Sequence, residues 1–329
     1  MISHNLSEGW FSAVRADCAA GLKLKMVAIV VPRRLVESCI RIIGLLCAMA
    51  CIAVLQGCSA VKLAYNNAPE LGYWYLDGYA DFNDAQSLKV KAELAKLQQW
   101  HRSNELPRIA DLLQKMQRMA AVDSSPEQVC GLFAEVRNRF DSVVAQAESA
   151  GVELAMALEN RQIAHLEAKY AKTNVEWRDE WSKGTVAERQ ARRLKASIER
   201  SEQFYGTLEE RQIAVLRDAI SRSEFDPALS FAERLRRQQD LLQTLRQIGN
   251  AAANPRPTVA QATLALRAYL ERSVNSPNPA YRAYADRAIQ DSCKSLSQLH
   301  NSSTSEQRDR AVRRLAAHER DARELAGQR

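Results

Sequence analysis

The side chains best able to act as metal ligands or nucleophiles in this 329-residue chain are its five histidines and seven cysteines. His101, His165, His300 and His318 are widely spaced. None has a second His or Cys at the spacing of a zinc-binding helix such as H-E-x-x-H. His165 and Glu167 are two residues apart, so they project from different sides of a helix. The chain has no G-x-S-x-G elbow to present a nucleophile and no glycine-rich phosphate loop. Glu and Arg interleave along the sequence, the pattern of solvated helix faces laced by i,i+4 ion pairs. Two Glu from different helices could still make a glycosidase pair without leaving a sequence signature. No catalytic residue, metal ligand or cofactor-binding residue is assigned, and no cofactor is expected.

The cysteines suggest a different chemistry. Arg33, Arg34 and Arg41 precede Ile42 to Val54, thirteen residues without a charge, and Leu55-Gln56-Gly57-Cys58 follows. Thirteen residues are too few to cross a bilayer core of about 30 Å at 1.5 Å per residue. A basic segment, a short apolar run and a small residue make the pattern of a cleaved export signal. The tetrapeptide resembles the lipobox of bacterial lipoproteins, in which the Cys after the cut takes a diacylglycerol thioether. The resemblance implies cleavage between Gly57 and Cys58 and lipidation of Cys58. The competing reading is an ordinary membrane helix that ends in Cys. The first twenty-five residues add polar sequence (Ser3, His4, Asn5, Ser7) that such a signal does not need. Met26 to Gly57 is a better-proportioned leader, which suggests Met26 as the true start.

Cleavage would change the composition. Residues 1–57 hold six basic residues and three acidic ones, so the formal charge falls from +7 to +4. The basic pI therefore belongs partly to the leader, and nucleic acid is not an expected partner. Cys18, Cys39, Cys47 and Cys51 leave with the leader, and Cys58 is the lipid site. Cys130 and Cys293 remain, one pair in an oxidising compartment. They are expected to form a disulfide; the alternative is two buried thiols that never meet.

The elements read as helices throughout. Mature glycine is scarce, β-branched runs are absent, and Ala, Leu, Glu, Arg and Gln dominate. The fold class expected is all-α, one or two antiparallel helical bundles after the cleaved signal peptide 1–57. Residues 58–82 form the membrane-proximal segment, 83–253 the main helical domain, and 254–329 a set of C-terminal helices packed on it. Within the first of these, Leu71 to Tyr79 is the most aromatic stretch. It could rest on lipid headgroups, as Tyr and Trp favour membrane interfaces, or pack the near end of the helical core.

Asn83 reads as an N-cap, and Pro107 should kink or split the helix that follows. Ser125-Pro126-Glu127-Gln128 starts the next helix with a capping box. Val129, Leu132, Phe133, Val136, Phe140, Val143 and Val144 then mark an amphipathic face. Leu158 to Leu166 and Leu208 to Leu216 match at seven of nine positions, fifty residues apart. Trp177 and Trp181 share one helix face. Asp226 can cap a helix that runs to about Ile248. Asn254-Pro255-Arg256-Pro257 is the linker candidate, and three helices should follow near 258–273, 279–299 and 305–326. Basic clusters at Arg189–Arg200, Arg234–Arg237 and Arg308–Arg314 could meet an anionic envelope surface, or be polar helix faces beside Glu188, Glu199, Glu233 and Asp309.

The lipobox, the aromatic segment, Trp100-His101-Arg102, Leu106-Pro107-Arg108 and the Leu-Glu-x-x-Gln helices together resemble an uncharacterised family of bacterial envelope lipoproteins. It is a domain of unknown function, family number 6279. The resemblance spans about Cys58 to Ile248 and implies a helical envelope lipoprotein with no attached activity. Leu158/Gln162, Leu208/Gln212 and Thr304-Ser-Glu-Gln307 are looser matches to the Leu-Thr-x-x-Gln pattern of Spy-type periplasmic stress chaperones; a capping box also accounts for Thr304 and Gln307. Arg222 to Ser230 is similar to the Arg-x-x-Phe-Asp-x-x-Leu-Ser part of lipase-specific foldases, though Pro227 replaces an aromatic and a plain Asp cap explains Asp226. Ser59 lacks the Asp signal that retains lipoproteins at the inner membrane in enteric bacteria. The function expected is therefore a non-enzymatic binding or scaffolding lipoprotein, chaperone-like in one version, at the periplasmic face of the outer membrane. Its partners would be the membrane, through the N-terminal lipid, and an envelope protein or client. An envelope hydrolase acting on cell-wall polymer is the alternative.

Overall fold

Side-chain caps set most of the helix boundaries. The computed structural model describes residues 60–249 and 256–328. Among them are twelve helices and no strand. They are α1 (Ala60–Asn66), α2 (Ala68–Ala80), α3 (Asp84–Asn104), α4 (Leu106–Ala120), α5 (Pro126–Ala157) and α6 (Asn160–Trp181). Then come α7 (Val186–Tyr205), α8 (Glu210–Arg222), α9 (Pro227–Ile248), α10 (Val259–Val274), α11 (Pro279–Asn301) and α12 (Ser305–Gly327). The protein is all-α. The expected signal peptide, its cleavage site at Gly57 and Cys58, and the first two residues of the linker candidate lie outside the described residues. No described helix is long and apolar enough to cross a membrane.

Asn83 caps α3, Ser125 caps α5, Thr185 caps α7, Thr258 caps α10 and Thr304 caps α12, each accepting from the backbone N–H three residues on. Asp226 accepts from the N–H groups of Ala228 and Leu229 at the start of α9. Pro107 splits the long helical pattern into α3 and α4 at Glu105. Gly206 ends α7 at φ 78°, in the left-handed region that costs glycine least.

The described helices belong to one unit that begins at Ser59. α5, 32 residues and about 48 Å long, packs against α3, α9, α10 and α11. α12 lies along α4 and also touches α1, α3 and α7. Among the described residues, three separate apolar clusters form in the interior. Val152, Ile163, Leu166, Leu242, Leu245 and Ile248 join α5, α6 and α9, with Ala262 of α10 against them. Leu106 and Ala110 of α4 meet Ala322 and Leu325 of α12. Leu208, two residues before α8, and Leu216 of α8 meet Leu299 of α11. A chain rich in Ala and long charged side chains builds several thin seams of this kind more readily than one thick core.

Candidate functional site

The structure brings Cys130 of α5 and Cys293 of α11 together, with sulfurs at a bonding distance of 1.99 Å and Cα atoms 5.4 Å apart. The link spans 163 residues of sequence and holds two helices that already pack. Beside it, Ser124 receives hydrogen bonds from Ser297 and Asn301, so the turn before α5 is fastened to the end of α11.

Four buried glutamines form two reciprocal pairs. Each is the third residue of its helix: Gln86 in α3, Gln162 in α6, Gln212 in α8 and Gln307 in α12. Each accepts at Oε1 from the backbone N–H of its own N-cap residue, at 2.8–3.1 Å. Gln86 and Gln162 also donate Nε2–H to each other's Oε1, at 3.1 and 2.8 Å. Gln212 and Gln307 do the same at 2.7 and 3.0 Å. The remaining N–H of each reaches the carbonyl five residues before its partner: Gln86 to Ala157, Gln162 to Asp81, Gln212 to Ser302 and Gln307 to Thr207. Each amide is thereby saturated. The two clasps obey one local two-fold pattern, and each ties two helix starts together. In the second, Tyr205 and His300, each seven residues before a clasp glutamine, also meet, with Oη to Nδ1 3.0 Å. Burial pushes the Tyr205 phenol up to about 12, so it stays a neutral hydrogen-bonding group.

The sequence repeat at Leu158 and Leu208 thus marks one half of each clasp. Gln86 and the clasp role of Gln307 were not legible. The signal was present, since Asn83-x-x-Gln86 is the same cap-x-x-Gln pattern. It does not discriminate, because Gln128 and Gln261 occupy the same box position and are exposed.

The buried carboxylates are committed to cations. Glu105, wholly buried where α3 meets α4, takes Arg108 at 3.1 Å and Arg139 of α5 at 3.4 Å. Glu233 of α9 takes Arg236 at 2.8 Å and Arg237 at 2.9 Å, and accepts from Ser276 at 2.9 Å. Burial pushes the Glu233 carboxyl up, but hydrogen bonds from Arg236, Ser276 and Arg237 outweigh it and hold it below the usual range. The hydrogen bonds of Arg272 hold Asp240 down despite its burial, with Arg236 also contributing. This Glu233–Arg236–Asp240–Arg272 network fastens α10 to α9. Among the described residues, each carboxyl with a perturbed acidity is shifted down.

The described histidines do not converge. His101 pairs with Tyr65 at 3.1 Å, His300 with Tyr205 and the Val122 carbonyl, and His165 lies 3.4 Å from the Gly78 carbonyl. Burial lowers the pKa of His101 and His318. Among the described residues no group of three His, Cys, Asp or Glu is placed to hold a metal ion. The basic clusters do internal work. Arg189 and Arg192 donate to the Gly184 and Lys183 carbonyls in the turn after α6. Arg193 lies over Phe225 and bonds Ser223. Arg234 binds Asn174, and Arg308 binds Asp123. Trp177 stacks on Phe231 and Trp181 meets Phe225 edge-on, so Phe225 and Asp226 serve packing and capping.

Two apolar surfaces remain. On α5, Phe133, Val136, Phe140 and Val144 are exposed, Phe140 by 62%. Their spacing of three, four and four puts them on one ridge about 16 Å long. Val129 of the same face is buried, and Leu132 and Val143 are half-buried. The second surface lies on α1 and α2, where the aromatic stretch divides. Tyr73 packs on Phe82 and donates to Ser87, and Tyr79 joins the first core cluster. Trp74, Tyr75 and Leu76 are exposed.

Residues 78–254 match the model of a family of unknown function, DUF6279. That is more than half of the chain, and the protein belongs to this family. The match holds the whole first clasp and only Gln212 of the second. No curated protein and no solved structure matches the chain.

Proposed function

We propose that this protein is a lipid-anchored binding or scaffolding protein of the bacterial envelope, held at the periplasmic face of the outer membrane through Cys58. The lipobox-like Leu55 to Cys58 supports the anchor. The observation that carries the binding role is the α5 ridge. Phe133, Val136, Phe140 and Val144 are helix-periodic and belong to a face that is buried at Val129, yet among the described residues they stay exposed. A row at i, i+3, i+7 and i+11 is what an apolar helix or strand of a client would lie along. The disulfide and the clasps hold the surrounding helices in place, so the ridge is a fixed surface. The chaperone-like version follows if the client is partly unfolded.

Light scattering of an aggregating client tests the role. The lipid-free protein should suppress aggregation at equimolar ratio, and the Phe133→Ser/Phe140→Ser variant should not. Equal suppression by both, or by neither, would contradict the assignment of the ridge. Crosslinking with mass spectrometry in intact cells should place partner peptides on α5. The alternative, an envelope hydrolase, calls for a carboxyl held protonated at neutral pH. The described carboxyls with a perturbed acidity, Glu233 and Asp240 among them, are shifted the other way.

A further inference from the structure

We infer that α1 and the exposed edge of α2 lie against the membrane that carries the anchor, so that the helical body is held close to the lipid surface in one orientation. The inference rests on the lipidation of Cys58 proposed above. Its first support is the composition of α1 by side. Lys62 is the helix's sole charged residue, and it turns inward to Glu324 at 2.6 Å and Asp321 at 3.7 Å on α12. Tyr65 also turns inward, to His101, and packs on the α4–α12 cluster. The exposed residues of α1 are Ala60, Val61, Leu63 and Asn66, with Leu63 at 63%. A helix facing water puts its charge outward and its apolar side chains inward; α1 has the reverse arrangement.

The second support is reach. Ala60 is two residues after Cys58, so their Cα atoms are at most about 7 Å apart. Three further helical residues add about 4.5 Å, so Leu63 lies within about 12 Å of the anchoring residue. The headgroup zone of a bilayer is about 5–8 Å deep on each side. A lipid at Cys58 therefore leaves α1 no path to bulk solvent far from the surface. The third support is the amphipathic aromatic edge of α2. Trp74 is 65% exposed and Tyr75 49%, while their neighbours Tyr73 and Tyr79 pack inward. Exposed Trp and Tyr are the side chains that favour the membrane interface. Among the described residues, five of the nineteen large apolar side chains that are exposed fall between Val61 and Leu76. That concentration is what distinguishes this edge from scattered surface hydrophobics, which need no explanation.

Spin labels at Leu63→Cys and Trp74→Cys test the inference, because the other mature cysteines are acylated or paired. Collision rates with oxygen and with a water-soluble nickel chelate are read for the acylated protein in phosphatidylethanolamine–phosphatidylglycerol vesicles. The same labels are read without vesicles in the lipid-free protein carrying Cys58→Ser, so that no other thiol takes the label. The expected result is a several-fold rise in the oxygen-to-nickel ratio at both positions in the vesicle form, with the acyl mass present on Cys58. An acylated chain whose labels stay water-like would overturn the inference and leave the anchor intact. Labels that lose both collision rates would show a protein covering this edge, such as a second copy, and would also overturn it. A mature chain without acyl mass would remove the anchor and the inference together.

Discussion

Removing one clasp glutamine tests whether reciprocal pairing, and not ordinary helix capping, holds the helix starts together. Gln212→Ala deletes a fully buried amide. It strips a partner from the Glu209 N–H, the Ser302 carbonyl, and both the Oε1 and one N–H of Gln307. A buried polar group left unpaired costs about 1–3 kcal/mol. The Gln307 N–H is buried and carries the full penalty. Glu209 is exposed and Ser302 half-buried, so water offsets part of theirs. The expected loss is about 2–4 kcal/mol in urea unfolding with the disulfide intact. Gln128→Ala is the control, because Gln128 has the same box position and is exposed; it should cost about 0.5–1 kcal/mol. Gln307→Ala added to Gln212→Ala should cost less than Gln307→Ala alone, by about 1–2 kcal/mol, because its partner is already gone. A Gln212→Ala loss equal to that of Gln128→Ala, with additive double-variant behaviour, would refute the reasoning.

Reduction, or Cys130→Ser, should shift mobility on non-reducing gels and lower stability by about 4–5 kcal/mol at most, given the 163-residue separation; an unchanged midpoint would contradict a stabilising bridge. Glu233 and Asp240 have folded pKa values below their unfolded ones. Their stabilisation is therefore complete above about pH 4, the unfolded carboxyl range, and is lost as pH falls through the depressed folded values. Acid titration of Glu233→Gln should show lower stability at pH 7 and a smaller loss on acidification; a parallel curve would count against the network. Phe140→Ser should leave the unfolding midpoint within about 0.5 kcal/mol of the parent, because the side chain is exposed. A large loss would mean the ridge packs within the fold.

Helix boundaries were legible because local chemistry fixes them. Asn83, Ser125 and Asp226 cap helices through their own side chains, and Pro107 breaks one through its missing N–H. The Cys130–Cys293 pairing was legible by elimination once the leader was set aside. Partners across the fold were not. Periodicity on α5 gives one apolar face from Val129 to Val144, but the same pattern describes a buried stripe and an uncovered ridge. The structure divides the face between Val129, buried, and Phe140, exposed. The aromatic stretch was ambiguous for the same reason, and Tyr73 and Trp74, adjacent in sequence, point to opposite fates. The basic clusters read as polar faces or an anion site; most of their arginines hold helix ends and neighbouring side chains. Gln86 was invisible because a capping box is a local motif, and whether its amide meets a second box depends on residues 76 positions away.

The most direct measurement is the intact mass of the protein extracted from membranes, with and without globomycin, which blocks the lipoprotein signal peptidase. The account predicts a mature chain that begins at Cys58 and carries a diacylglycerol thioether, and a larger precursor when the inhibitor is present. A chain of unchanged mass under globomycin, or one beginning at Cys58 without lipid, would contradict it.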